Sequence, residues 1–185
     1  LKSAFLGAIC AYDGAQLSSL WAYREHGVQG DSIVAFTGAC EVSVEKLVDV
    51  EDAKAGAFIR SQSMLHLIVE HFELDLEAAI LRQYLLVSIA QDMLNASQGR
   101  HHVVRSGNDL YAGKAKLSVS IATLTPVSSK IHFGINILSK GTPVKTLGLK
   151  DMGLGPRPFG RALMERYVSD HARMKKARSK VRGVA

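Results

Sequence analysis

A chain of 185 residues, 47% hydrophobic and 22% charged, has the balance of an ordinary globular protein and is expected to fold as a single domain over 1–185. Its two cysteines, Cys10 and Cys40, are too few for a disulfide framework or a zinc site, and they read as inert core thiols in a cytoplasmic protein. The net charge of +6 lies in the tail: residues 157–185 hold nine Lys/Arg against two acids, and residues 1–156 hold fourteen against fifteen. That distribution argues against a nucleic-acid-binding body and sets apart a basic C-terminal helix over 157–182.

In chain order, "LKSAFLGAICA" is a short apolar run followed by "YDG" where a cleavage site would be expected, so it reads as a strand. "SSLWAYREHG" carries Trp21 and Tyr23, which read as core aromatics. "DSIVAFTGACEV" (31–42) predicts a strand after a turn in which Asp31 caps backbone amides, and a short helix begins near Asp49. "SMLHLIVEHF" (63–72) predicts a strand with Leu65, Leu67 and Val69 on one face and Met64, His66, Ile68 and Glu70 on the other. Residues 75–97 carry the strongest helical stripe, with Asp75 as N-cap and Gly99 as the stop. Asp75, Glu77, Arg82, Gln83, Gln91 and Asp92 interrupt it, which suits a buried helix and not a membrane span. Strands follow at 102–105, 108–112, 115–124 and 130–138, with turns at Gly113 and Pro126, before the terminal helix. This order predicts an α+β fold, a mixed or antiparallel sheet with helices packed on one face.

If the strands flanking "TPVSS" pair around that turn, Ala122 faces His132, Ser120 faces Gly134 and Ser118 faces Asn136. One face then carries Lys116, Ser118, Ser120, His132, Gly134 and Asn136; the other is an apolar series from Leu117 to Ile137. The polar face is either the solvated side of an antiparallel sheet or a site where one cation, hydroxyls and an amide meet a carboxylate or phosphate. Gly134 removes bulk where a ligand would approach the backbone. His66 and Glu70 either border the same cleft or form a structural pair. The histidines fall in no metal-ligand spacing, so no metal site is expected.

"VRSGNDLYAGKAKLSVSI" (104–121) resembles the core of biotin protein ligases, which carry a Lys-Trp-Pro-Asn-Asp-Leu run, a turn, and a Lys-Leu-x-Gly strand. Arg105 falls at the first lysine; Asn108–Asp109–Leu110 and Lys116–Leu117 match directly. "HFGINI" (132–137) resembles the Gly-Ile-Asn-Val strand that follows in those enzymes. Over nearly the whole chain, "YDG", "LWAYR", "GDSIVAF" and "TPVSSKIHFGINI" are similar to domain-of-unknown-function family 366, placed in the biotin/lipoate ligase and class II synthetase fold. The resemblance implies a small carboxylate or nucleotide ligand, ATP and Mg²⁺ as cofactors, a homodimer, and acyl-adenylate formation or acyl transfer. Lys116 would stand between carboxylate and α-phosphate, with Asp109 on metal or adenylate and Asn136 and Ser118 orienting the carboxyl or ribose. A non-catalytic binding module on this fold, and an RNA-associated protein using the basic helix, are the alternatives. The ligases' Gly-Arg-Gly-Arg loop has no counterpart: "IRSQSMLH" stands there, offering Arg60, Gln62 and His66. Val119 replaces the glycine of Lys-Leu-x-Gly, and neither cysteine sits where an octanoyl transferase keeps its nucleophile.

Overall fold

The computed structural model describes residues 1–56, 59–97, 101–140, 142 and 144–184. Its centre is a five-stranded sheet in the order β1-β2-β3-β8-β7. β1 (Lys2–Ile9) runs parallel to β2 (Ser32–Val42), whereas β3 (Ile59–His71), β8 (Ser129–Asn136) and β7 (Ser118–Leu124) continue antiparallel. A parallel neighbour needs a long crossover. Here the crossover holds a 3₁₀ turn (Ala15–Leu17) and the short helix α1 (Trp21–His26). Trp21 is buried against Phe36, as expected, and Tyr23 is about half exposed.

The two faces of the sheet bury different things. Leu65, Leu67 and Val69 share a core with α3 (Leu76–Ala96) and α4 (Pro156–Arg178), so both long helices lie on one face. Met64 and Ile68 face the other way, into a smaller core closed by Tyr12, Trp21 and Phe36. Asp75 caps α3 by accepting from the Ala78 N–H at 2.9 Å. Asp49 caps α2 (Val50–Lys54) by accepting from Glu51 and Asp52. α4 opens on a proline and ends at Arg178, so residues 179–182 of the expected basic helix lie beyond it. Gly99, the expected stop of α3, lies outside the described residues. Among those described, no helix is long and apolar enough to cross a membrane.

The expected strand 115–124 is two strands. β6 (Ala115–Lys116) closes a small antiparallel sheet with β4 (Val103–Ser106) and β5 (Asp109–Ala112), and β7 starts afresh in the large one. Between them Leu117 donates its N–H to Leu110 and accepts from the Asn136 N–H. Leu117 is buried under α3, and Ser118 pairs with Ile135 of the same core. Two successive residues therefore point to one side, and the alternation reverses phase. The register is offset by one from expectation: Val119 faces Gly134 and Ile121 faces His132.

Candidate functional site

On the face away from the long helices, the segment Val42–Asp52 and β7 stand apart and leave a cleft in two compartments. The first, about 280 Å³, is walled by Leu17, Val42, Leu47, Val48, Ile59 and Ile121, with Tyr12 and His132 also lining it. The second, about 270 Å³, is lined by Arg60, Ser61, Asn136, Thr142 and Thr146. Asp52, Ile59, Lys116 and Val119 border both. Lys116 is held there through both of its backbone groups by one segment, in a parallel bridge to Thr146: its N–H donates to Lys145, and its carbonyl accepts from Leu147.

The Lys116 ammonium lies 2.6 Å from Asp109 Oδ2. Burial works against the charge on Lys116, but the adjacent carboxylate overrides it and holds the ammonium above its ordinary range. Burial raises the Asp109 carboxyl, and the contact with Lys116 only partly offsets this. Asp109 Oδ1 is buried without a hydrogen-bond partner, and Asp52 is near enough to bear on both charges. A cation fixed on a carboxylate that retains an unused oxygen is a prepared polar site.

Aromatic rings make the floor. Tyr12 stacks on His132 with centroids 3.7 Å apart and planes 12° apart; His66 stacks on Phe36 beyond. His66 Nδ1 and His132 Nε2 share a 3.1 Å hydrogen bond, while His66 Nε2 is buried without a partner. Burial depresses both imidazoles, that of His66 to about 4, so the pair is neutral at neutral pH.

The other expected site residues divide. Asn136 borders the second compartment, accepting from Ser61 Oγ at 3.1 Å, and Arg60 lies at its rim. Asn108 borders the first and anchors it, its Nδ2 donating to the Ser120 carbonyl at 2.7 Å. Ser118 is displaced by the phase reversal: its hydroxyl accepts from the Leu110 N–H on the core side. Ser120 touches the first compartment, but its hydroxyl is engaged by Gln83 and Asn108. Gly134 makes no room for a ligand. A Cβ there would meet Met64 Cε at 2.9 Å and the His132 ring at 3.2 Å, so the space is filled from within. Arg105 lies outside the cleft, its guanidinium 5.0 Å over the Tyr84 ring. Glu70 is not beside His66 in the cleft; it forms a buried pair with Lys130 at 3.1 Å. Sequence reasoning missed Tyr12, Asp52 and the wall of 42–48. "YDG" just after β1 was the available signal for Tyr12.

The geometry has solved counterparts. The structure is similar to a protein of unknown function from Pyrococcus horikoshi, 36% identical with a TM-score of 0.94, covering 100% of this chain and 99% of that one. It is similar in fold to a biotin protein ligase from Aquifex aeolicus in complex with biotin and ATP, 12% identical, TM-score 0.59, covering 95% and 72%. A candidate lipoate protein ligase from T. acidophilum with bound lipoic acid is 11% identical, TM-score 0.53, covering 92% and 86%. The ligase-like fold expected from the sequence is therefore the observed one. The uncharacterised protein MJ0805 of Methanocaldococcus jannaschii is 42% identical over 149 residues, 77% of this chain and 66% of that protein. The family model described as domain of unknown function DUF366 matches residues 1–182, and the chain belongs to that family.

Proposed function

We propose that the cleft binds a small carboxylic acid beside an adenosine nucleotide and joins them as an acyl-adenylate. One observation carries this reading: the Lys116 ammonium borders both compartments, where a carboxylate and an α-phosphate would meet. Two anions must come together in such a reaction, and a fixed cation between them lowers the barrier. A carboxylate oxygen bonds to the α-phosphorus, the bond to the bridging oxygen breaks, and pyrophosphate leaves with that electron pair. Each compartment joins an apolar wall to polar groups. The first sets Leu17, Leu47 and Ile121 beside Lys46, Asn108 and Asp109. The second sets Met64, Val119 and Val144 beside Arg60, Ser61 and Asn136, so both can seat an apolar body next to an anion. Asp52 and Asp109 are hard oxygen donors, and the unpartnered Asp109 oxygen fits a Mg²⁺ ion. Such an ion would neutralise charge on the pyrophosphate. Fold neighbours that carry biotin with ATP, or lipoic acid, lend the reading support.

ATP–pyrophosphate exchange across a panel of carboxylic acids tests it. Exchange is expected with one class of acid, and Lys116→Ala should reduce it about 10²- to 10³-fold, the size seen when one transition-state charge donor is removed. The place of the ligases' Gly-Arg loop is here the start of β3, a regular strand in which Arg60 stands opposite Glu41 of β2. That favours a second reading, a non-catalytic binding module, for which acids would raise the melting temperature without any exchange. Neither exchange nor a melting shift with any acid defeats both readings.

A further inference from the structure

The cleft leaves unused a polar cluster at the far end of β3, where His71 lies five residues beyond His66, about 17 Å along the strand. Asp31 precedes β2, and His171 projects from α4. We propose that Asp31, His71 and His171 bind a zinc ion. One donor atom from each lies within 4.8 Å of the others. Zinc–ligand bonds of about 2.0–2.1 Å in a tetrahedron place donors about 3.4 Å apart. Asp31 Oδ2 and His71 Nδ1 already stand at 3.5 Å, and the His171 ring stacks on that of His71 with centroids 4.8 Å apart, so His171 is the ligand that must close in.

The supporting hydrogen bonds are those of a metal centre. His71 Nε2 is bonded to the Tyr167 hydroxyl at 3.1 Å, and Asp31 Oδ1 accepts from the Phe72 N–H at 2.9 Å. Both contacts fix the remaining atoms, Nδ1 and Oδ2, toward one point, as outer-shell partners orient ligands around a metal. Tyr167, His171 and Lys175 follow at four-residue spacing on one face of α4, so one helix supplies an orienting group, a ligand and a cation. Lys175 Nζ stands 3.5 Å from Asp31 Oδ2 on an exposed stem. It occupies the side a metal would approach and can swing away. Two imidazoles and one carboxylate with an open fourth position suit zinc and its first-row neighbours, not magnesium or calcium.

Titration of the untagged full chain with Zn²⁺ by calorimetry, and with Co²⁺ by visible absorption, tests the site. One equivalent should bind, with the intense visible bands of a tetrahedral cobalt centre. His171→Asn and Asp31→Asn should each weaken binding at least tenfold, and Tyr167→Phe about 10- to 100-fold. Lys175→Ala should tighten it, whereas a merely structural polar latch would gain nothing from losing a lysine. The double substitution His101→Ala/His102→Ala should leave binding unchanged. Circular dichroism of each variant establishes that it is folded. Absence of saturable binding at one equivalent, unchanged affinity in folded His171→Asn, or loss in the His101/His102 variant overturns the proposal.

Discussion

His66 has no solvent exposure, shares one nitrogen with His132 and leaves the other unpartnered. Burial holds its pKa near 4, against 6.5 for a free imidazole. Below about pH 6.5 the unfolded chain takes up a proton that the folded chain refuses until about pH 4. Stability should therefore fall as pH drops through that window, by roughly 3 kcal/mol for His66 alone, with His132 adding in the same direction. Urea midpoints measured between pH 7 and 4 would show the loss, and His66→Phe, which keeps a ring in the stack, should flatten the slope. An unaltered slope in that variant would sink the account. Lys116, Asp109 and Asn136 were legible as candidates because a local motif carries them. Tyr12 was not, because its stack with His132 joins residues far apart in sequence and no periodicity in either strand encodes it.

Elements were legible wherever their signal is local: the capped starts of α2 and α3, the two-faced pattern of β3, and the return from β7 to β8 around "TPVSS". What failed was phase. A strand passing from one sheet into another changes face at Leu117, and alternation counted straight through it set Ser118 and Ser120 on the wrong side. Equally hidden was the cover over β3 and β8. Glu70 and Lys130 face each other across those strands, both almost wholly buried, and Glu70 also accepts from Ser128 Oγ and the Leu20 N–H. That last bond ties the crossover to the sheet at a residue held in the left-handed region, with φ 62°. Lys130→Met would leave Glu70 buried without its counter-charge, at a cost of about 3–5 kcal/mol in chemical denaturation. Adding Glu70→Gln should recover much of it, because the amide carries no charge to desolvate. A double variant no more stable than the single one would show that packing around Lys130, and not charge, sets the loss.

Across the whole molecule, charge is segregated: the +7 of residues 157–185 outweighs a body of −1. Part of that excess is already committed. Arg166 and Arg173 pair with Asp170, Lys175 with Asp31, and Arg157 and Arg161 lie over the Phe5 ring. Among the described residues, no acid stands within ion-pair distance of Lys176, Arg178, Lys180 or Arg182, and this end of α4 exposes no aromatic ring on which a base could stack. A short cationic patch without stacking partners attracts polyanions through counterion release alone. Retention on single-stranded RNA is therefore expected only at low salt. The logarithm of the binding constant should fall against that of salt with a slope no steeper than about −3, the release from four phosphates at about 0.7 each. Neutralising the four side chains to Gln should abolish retention and lower the unfolding free energy by no more than about 2 kcal/mol, since Lys176 and Arg178 lie in the last turn of α4, where a cation stabilises the helix end by about 0.3–1 kcal/mol each. A steeper slope, or retention surviving the fourfold variant, would mean that the body of the molecule contacts nucleic acid, against its nearly balanced charge.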